Sequence, residues 1–295
     1  MLRHAHAEMR PARVVVIGGH GFVGGAVCGK LKAAGIEHLT IGRRQVDLQA
    51  ETAAEELAGY LGAGDSVVLA AARAPCKNAA MLVENMLILR TIVSALGRVS
   101  LSHVVNVSSD AVYGDEPLPL RESSPAAPQT LHGAMHLARE IALGQELHAP
   151  LANVRPTLLY GAGDPHNGYG PNRFCRLAAQ GKIITMFGEG EERRDHVFIE
   201  DLAELILRIL LRGSAGVLNV ATGKVHSFRA IAEMVIGAAT ATPGVTSAPR
   251  GGPMPHNGYR PFDTELCRAA FPDFSYVNLP EGIRRMQREL EHAAV

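Results

Sequence analysis

Val14-Val15-Val16-Ile17-Gly18-Gly19-His20-Gly21-Phe22-Val23-Gly24 runs from four apolar β-formers straight into a Gly-x-x-Gly-x-x-Gly turn, and residues 25–34 continue it with a helical pattern. A short buried strand, a turn without side chains and a helix start give backbone amides a close approach to a pyrophosphate, at the helix end whose dipole favours negative charge. A glycine triplet alone is a weak signal, because glycine-rich turns that bind nothing exist. The strand before it and the helix after it are the context that makes it a dinucleotide site.

Outward from this turn, short apolar runs at 13–17, 38–41, 66–70, 103–107 and 151–154 alternate with longer segments such as 81–96 and 132–148 that carry apolar residues every three or four positions. That rhythm predicts an α/β fold with a doubly wound parallel sheet. After Pro156 it breaks: 161–171 and 241–255 are rich in Gly and Pro and are expected as loops, with helices at 201–211 and 228–238. The expected organisation is a dinucleotide-binding domain over 11–160 and a smaller C-terminal substrate-binding region over 161–295 that partly returns to the main sheet.

The 295 residues are 47% hydrophobic, enough for a full core, and 29 Lys plus Arg balance 29 Asp plus Glu. No net field favours nucleic acid or an anionic membrane, so small-molecule partners are expected and any anion site is local. The four cysteines, Cys28, Cys76, Cys175 and Cys267, form no CxxC pair, which argues against a zinc site or a disulfide framework and for reduced thiols in the cytoplasm. No apolar run approaches the roughly 18 residues of a membrane helix. Residues 1–10 lack the apolar stretch of a signal peptide and are expected as a loose leader, with Met9 as an alternative start.

In the cofactor half, Gly18, His20, Gly21, Phe22, Val23 and Gly24 form the turn, and Ala70, Ala71 and Ala72 follow the third strand. After the second strand, where NAD proteins carry a ribose-binding acid, stand Arg43 and Arg44. Two guanidiniums there suit the extra phosphate of NADP, though a solvated basic turn would look the same, so the cofactor is read as NADP in preference to NAD. Asp47 and Leu48 fall where an acidic side chain meets the adenine amino group.

Together with Asn85, the stretch Ser108-Ser109-Asp110-Ala111-Val112-Tyr113-Gly114 and the stretch Arg194-Asp195-His196-Val197-Phe198-Ile199-Glu200-Asp201, these motifs make the chain similar to the extended short-chain dehydrogenase/reductases, in their NAD-dependent epimerase/dehydratase family. The resemblance runs from Arg13 to about residue 290. It implies a Rossmann fold, a homodimer built on 81–96 and 132–148, and hydride exchange with a sugar nucleotide. It also implies a hydroxyl at Ser109, a tyrosine about twenty residues later as the proton carrier, and a lysine four residues beyond that binds the nicotinamide ribose and lowers the phenol pKa.

Ser109 matches, and the next two positions do not. The family's Tyr-Gly-x-Ser-Lys-x-x-x-Glu falls on His132-Gly133-Ala134-Met135-His136-Leu137-Ala138-Arg139-Glu140, so both tyrosine and lysine are histidine. No register shift restores them, because no lysine lies between Lys77 and Lys182. Residues four apart share a helix face, and imidazole titrates near neutrality without a lysine to tune it. Catalytic roles are therefore assigned to Ser109 as hydroxyl positioner, His132 as acid/base and His136 as tuner and cofactor ribose contact. Three other readings stay open: relics in a cofactor-binding sensor or scaffold without redox activity, plain surface histidines, or two metal ligands. The last lacks the glutamate of HExxH and a third ligand, so no metal is assigned.

The family's dehydratases place Asp-Glu after the hydroxyl residue, whereas Asp110 is followed by Ala111, so epimerisation or ketone reduction is expected instead. For the substrate, Arg194 aligns with an arginine that contacts the nucleotide-sugar diphosphate in the family, Arg260 resembles a second one, and Asp110 is assigned to substrate binding with them. Two guanidiniums would clamp a phosphate, although each alone would also serve as a surface ion pair. Leu158 stands where some members carry asparagine, which leaves another phosphorylated or carboxylated sugar-like substrate open.

Overall fold

The computed structural model describes residues 1–240 and 243–293. Its first half is β1 (Val14–Ile17), α1 (Phe22–Ala33), β2 (His38–Ile41), α2 (Ala53–Gly59), β3 (Ser66–Leu69), α3 (Ala79–Leu96), β4 (His103–Val107), α4 (Leu131–Glu146) and β5 (Leu151–Pro156). The second half is β6 (Leu158–Tyr160), α5 (Pro171–Ala179), β7 (Ile184–Phe187), β8 (Arg193–Phe198), α6 (Ile199–Leu211), β9 (Gly216–Val220), β10 (Val225–Ser227), α7 (Phe228–Ala238), β11 (Val245–Ala248), β12 (Tyr259–Arg260), α8 (Glu265–Ala270) and α9 (Leu279–Ala293).

Six strands form one parallel sheet in the order β2-β1-β3-β4-β5-β9. Strand residues alternate between faces: Val14 and Val16 pack with Val27 and Leu31 of α1 and with α6, whereas Val15 and Ile17 pack with Leu57 of α2 and Ile92 of α3. Burial on both faces is why these strands are unbroken apolar runs. The order reverses between β1 and β3, and the crevice beyond their carboxyl ends is where such sheets bind ligands. From the second half, β9 joins the main sheet, while β10, β8 and β12, with β6 on β8, make a smaller one.

Three expectations need correction. Residues 1–10 are not a loose leader: Arg3 bridges Ala215, Leu2 is buried, and His4 bonds Ser214 Oγ at 2.7 Å and the Ala270 carbonyl at 2.9 Å. The expected loop at 241–255 contains β11, which pairs in parallel with β7; positions 241 and 242 lie outside the described residues. By length and composition α3 does suffice to cross a membrane. It carries Glu84 and Arg90, and Leu89, Ile92, Val93 and Leu96 are buried against the sheet and α2, the pattern of a helix covering a sheet.

Candidate active site

At the end of β1 the chain turns with Gly18 at φ 88°, a left-handed conformation that favours glycine. A Cβ there would stand 2.5 Å from the Ala71 amide nitrogen, and one at Gly24 would collide with the Gly18 carbonyl. Gly21 caps α1 without a side-chain bond, so the first-turn amides of Phe22 and Val23 have no partner inside the helix. The cleft above them measures about 260 Å³ and is lined by Gly18, His20, Gly21, Arg43, Asp47, Leu48, Ala70, Ala71 and Ala72. This cradle, with its unpartnered amides and side-chain-free walls, fits a dinucleotide.

Five residues assigned to the cofactor do not line the cleft, among them His136 on α4. The Phe22 and Val23 side chains pack against the core, leaving only their amides to serve; Gly24 underlies the turn; Arg44 is exposed. Arg43 does line it, held loosely by Asp47 at 3.5 Å with both side chains in solvent. Gly42 and Arg73, which carry no motif signal of their own, also line the cleft. Asn85, a buried polar side chain of α3, pins the Arg73 backbone by accepting from its amide at 2.9 Å and donating to its carbonyl at 3.1 Å. An asparagine within the apolar stripe of a helix is the available signal for that wall.

Beside the cleft, tied to it where Arg139 bonds the Ala71 carbonyl, lies α4. Thr130 caps it, accepting from the Gly133 amide at 3.1 Å, and a Cβ at Gly133 would collide with the Ala111 carbonyl, so the helix start sits directly on the 3-10 turn Asp110–Val112. His132 and His136 lie one turn apart, edge to face, with ring centroids 4.7 Å apart. The His132 Nδ1 accepts from the Cys76 amide at 3.4 Å, and the His136 Nδ1 is buried without a partner. Burial lowers the His132 pKa, with Asp110 raising it and His166 lowering it further. Burial, then His132 and Arg139, hold His136 well below the ordinary imidazole range.

One turn on, the Arg139 guanidinium is buried without a carboxylate. It donates to the Ala71 carbonyl at 2.7 Å and the Leu69 carbonyl at 3.1 Å, and burial lowers its pKa to about 10. It thus ties the histidine face of α4 to the cleft wall after β3. Ser109 is not joined to either histidine by a hydrogen bond; its hydroxyl accepts from the Ala111 amide at 3.2 Å. Beneath lies a buried network in which Arg155 grips Glu140 through Nε at 2.9 Å and Nη2 at 2.5 Å, and reaches the Tyr113 hydroxyl at 2.8 Å.

Arg194 and Arg260 are register partners on β8 and β12. They come together, but the expected clamp is corrected at Arg260. Its buried guanidinium is committed to Asp110 at 3.0 Å, to Asp115 at 2.9 Å and to the Asp110 carbonyl at 2.9 Å. Asp110 is correspondingly buried and engaged rather than open to substrate. Arg194 donates to Glu192 at 3.2 Å, and its Nε is buried without a partner. Glu192 also holds Arg250 at 3.1 Å, whose Nε and Nη2 are unpartnered, so the spare donors beside Arg194 belong to Arg250. No group of three or more His, Cys, Asp or Glu side chains is placed to hold a metal ion among the described residues.

The family model described as NAD dependent epimerase/dehydratase family matches residues 14–221. Over 308 aligned residues the chain is 26% identical to dTDP-6-deoxy-L-talose 4-dehydrogenase (NAD(P)(+)) of Kitasatospora kifunensis, covering 94% of this chain and 95% of that one. The crystal structure of UDP-glucose 4-epimerase from Thermus thermophilus in complex with NAD superposes with a TM-score of 0.81 at 25% identity, over 96% of this chain and all of that one. In fold the chain also resembles RMD from Pseudomonas aeruginosa complexed with NADPH, with a TM-score of 0.81 at 20% identity, over 96% and 99% of the two chains.

Proposed function

This chain belongs to the NAD dependent epimerase/dehydratase family, and on that premise we propose that it is a nicotinamide-dependent epimerase or ketoreductase of a sugar nucleotide or similar sugar, with His132 as acid/base. The observation that carries the reading is the stacked pair His132 and His136 on α4, the helix whose Arg139 bonds the cleft-lining Ala71. The glycine turn would hold the pyrophosphate on the amides of Phe22 and Val23. The cofactor supplies or accepts hydride when bound. Arg43 at the cleft rim supports NADP over NAD through the charge of its extra phosphate.

Of this chain's own residues, His132 meets the reacting oxygen, His136 contacts the ribose and, with Arg139, keeps the helix face dry and ordered. Ser109 shapes the turn that carries Asp110. Arg194 and Arg250 support binding of an anionic group such as a diphosphate. The exposed Val83 on α3 and Ile141 on α4 support a homodimer through these helices.

The test is a panel of nucleotide-activated 4-keto and 4-hydroxy sugars assayed for cofactor oxidation, reduction or isomerisation, beside mass spectrometry of the dinucleotide retained on purification. Turnover of one member with NADP(H) or NAD(H) is expected. Tight dinucleotide binding with no turnover across the panel would replace the enzyme by a cofactor-binding sensor or scaffold, the reading favoured by the missing tyrosine and lysine.

A further inference from the structure

We propose that His132 serves as a neutral hydrogen-bond donor through Nε2, which fits the site to a carbonyl oxygen and makes ketone reduction, not alcohol oxidation, its first chemical step. The inference rests on the reading of the chain as a nicotinamide-dependent enzyme and specifies its substrate as a keto compound.

The argument starts from a backbone amide. The Cys76 N–H can only donate, and it points at His132 Nδ1 from 3.4 Å. Nδ1 is therefore the acceptor, and the single proton of the neutral ring resides on Nε2. The groups around the ring keep it neutral. On α4, His136 and the Arg139 cation lie below it, and a second positive charge on this face is unfavourable. From the loop 161–170, His166 acts in the same direction. From the 3-10 turn, Asp110 acts in the other, but its carboxylate is occupied by Arg260 at 3.0 Å. From the segment after β3, Cys76 contributes its amide dipole, with the positive end toward Nδ1.

An imidazole fixed in this tautomer cannot take a proton from a substrate hydroxyl at Nε2 without first losing the Cys76 bond. It can donate to a carbonyl at once. As the carbonyl carbon takes up hydride from the reduced nicotinamide dinucleotide, the π pair moves to oxygen. That oxygen takes the Nε2 proton, the imidazolate left behind recovers a proton from water with hydroxide released to solvent, and the products are a secondary alcohol and the oxidised cofactor. A preset donor aimed where negative charge develops is the arrangement that lowers such a barrier.

The direct test is nitrogen-15 NMR of the histidine rings in the full-length protein without substrate, with the His132 resonances identified by their loss in His132→Phe. The expected result is a protonated Nε2 and a bare Nδ1 from pH 8 to below 6.5. A proton on Nδ1, or a doubly protonated ring at pH 7, would overturn the proposal. Cys76→Ala keeps the amide and is expected to leave the tautomer unchanged; a changed tautomer would count against the backbone origin. Cys76→Pro removes the amide proton and is expected to mix the tautomers and lower kcat for ketone reduction at least tenfold, with KM changed less than threefold. If that variant does not fold, the spectrum of the unaltered protein decides alone. Turnover of hydroxyl substrates with none of keto substrates overturns the assignment of direction, and a panel with no turnover at all sinks the broader reading while the ring spectrum still decides the tautomer.

Discussion

The cleft wall at β1–α1 and the neighbouring face of α4 are built on opposite principles. The β1–α1 wall removes side chains: Gly18, Gly21, Gly24 and Ala70–Ala72 bring backbone to the ligand, and their roles are steric. The α4 wall fills its interior with ionisable groups: His132, His136, Arg139, Glu140 and the facing Arg155 are mostly buried, and their roles are electrostatic. A steric wall tolerates no added atom. An electrostatic wall does not tolerate a buried charge stripped of the partners that hold it.

That contrast can be broken most severely at Glu140. Glu140→Ala leaves the Arg155 guanidinium buried without its carboxylate and is expected to cost about 3–5 kcal/mol in chemical denaturation. Glu140→Leu combined with Arg155→Met is expected to recover most of it. Equal losses in the single and double variants would show that packing, not charge, holds this wall. Next, Gly18→Ala places a methyl on the Ala71 amide at a left-handed φ and is expected to abolish dinucleotide binding and to cost on the order of 2–4 kcal/mol. Gly29→Ala, in α1 with open space around the added carbon, is its control and is expected to stabilise by up to about 1 kcal/mol.

His196 sharpens the electrostatic side. Neither ring nitrogen has a partner, and burial, then Arg194, lower its pKa to about 3. Its folded pKa lies below the unfolded one, so its share of stability is present above about pH 6.5 and drains away as the pH falls toward 3. Between pH 7 and 5 the native protein should lose about 2 kcal/mol more than His196→Leu in denaturation experiments. An equal loss in both would mean that His196 titrates normally. The smallest effect is expected at the rim: Arg43→Ala should weaken NADP about fivefold, on the order of 1 kcal/mol for an exposed pair, and leave NAD unchanged in a binding titration.

The steric wall was legible in the sequence because glycine spacing and unbroken apolar runs are local signals; β1 to β4 fall within one residue of their expected ends at each terminus. The electrostatic wall was legible only as residue identities. That His132 and His136 share a face followed from their spacing, but their burial depends on the segment after β3. Arg260 was assigned to phosphate because no local signal announces that Asp110, 150 residues away, already holds it. Arg250 went unnoticed for the same reason: its importance is two donors that nothing satisfies. The docking of residues 1–10 is not legible in composition, because Arg3 and Met9 dock through backbone bonds to Ala215 and Leu211.

The central claim is that a histidine carries the proton chemistry on a dinucleotide cradle. Its most direct test is the steady-state turnover of His132→Phe on whichever keto sugar nucleotide the native protein reduces, with cofactor affinity measured on the same preparation. Turnover at least a thousandfold lower, with the dissociation constant for the dinucleotide changed by less than about threefold, is the predicted result for loss of a general acid. Unchanged turnover would contradict it.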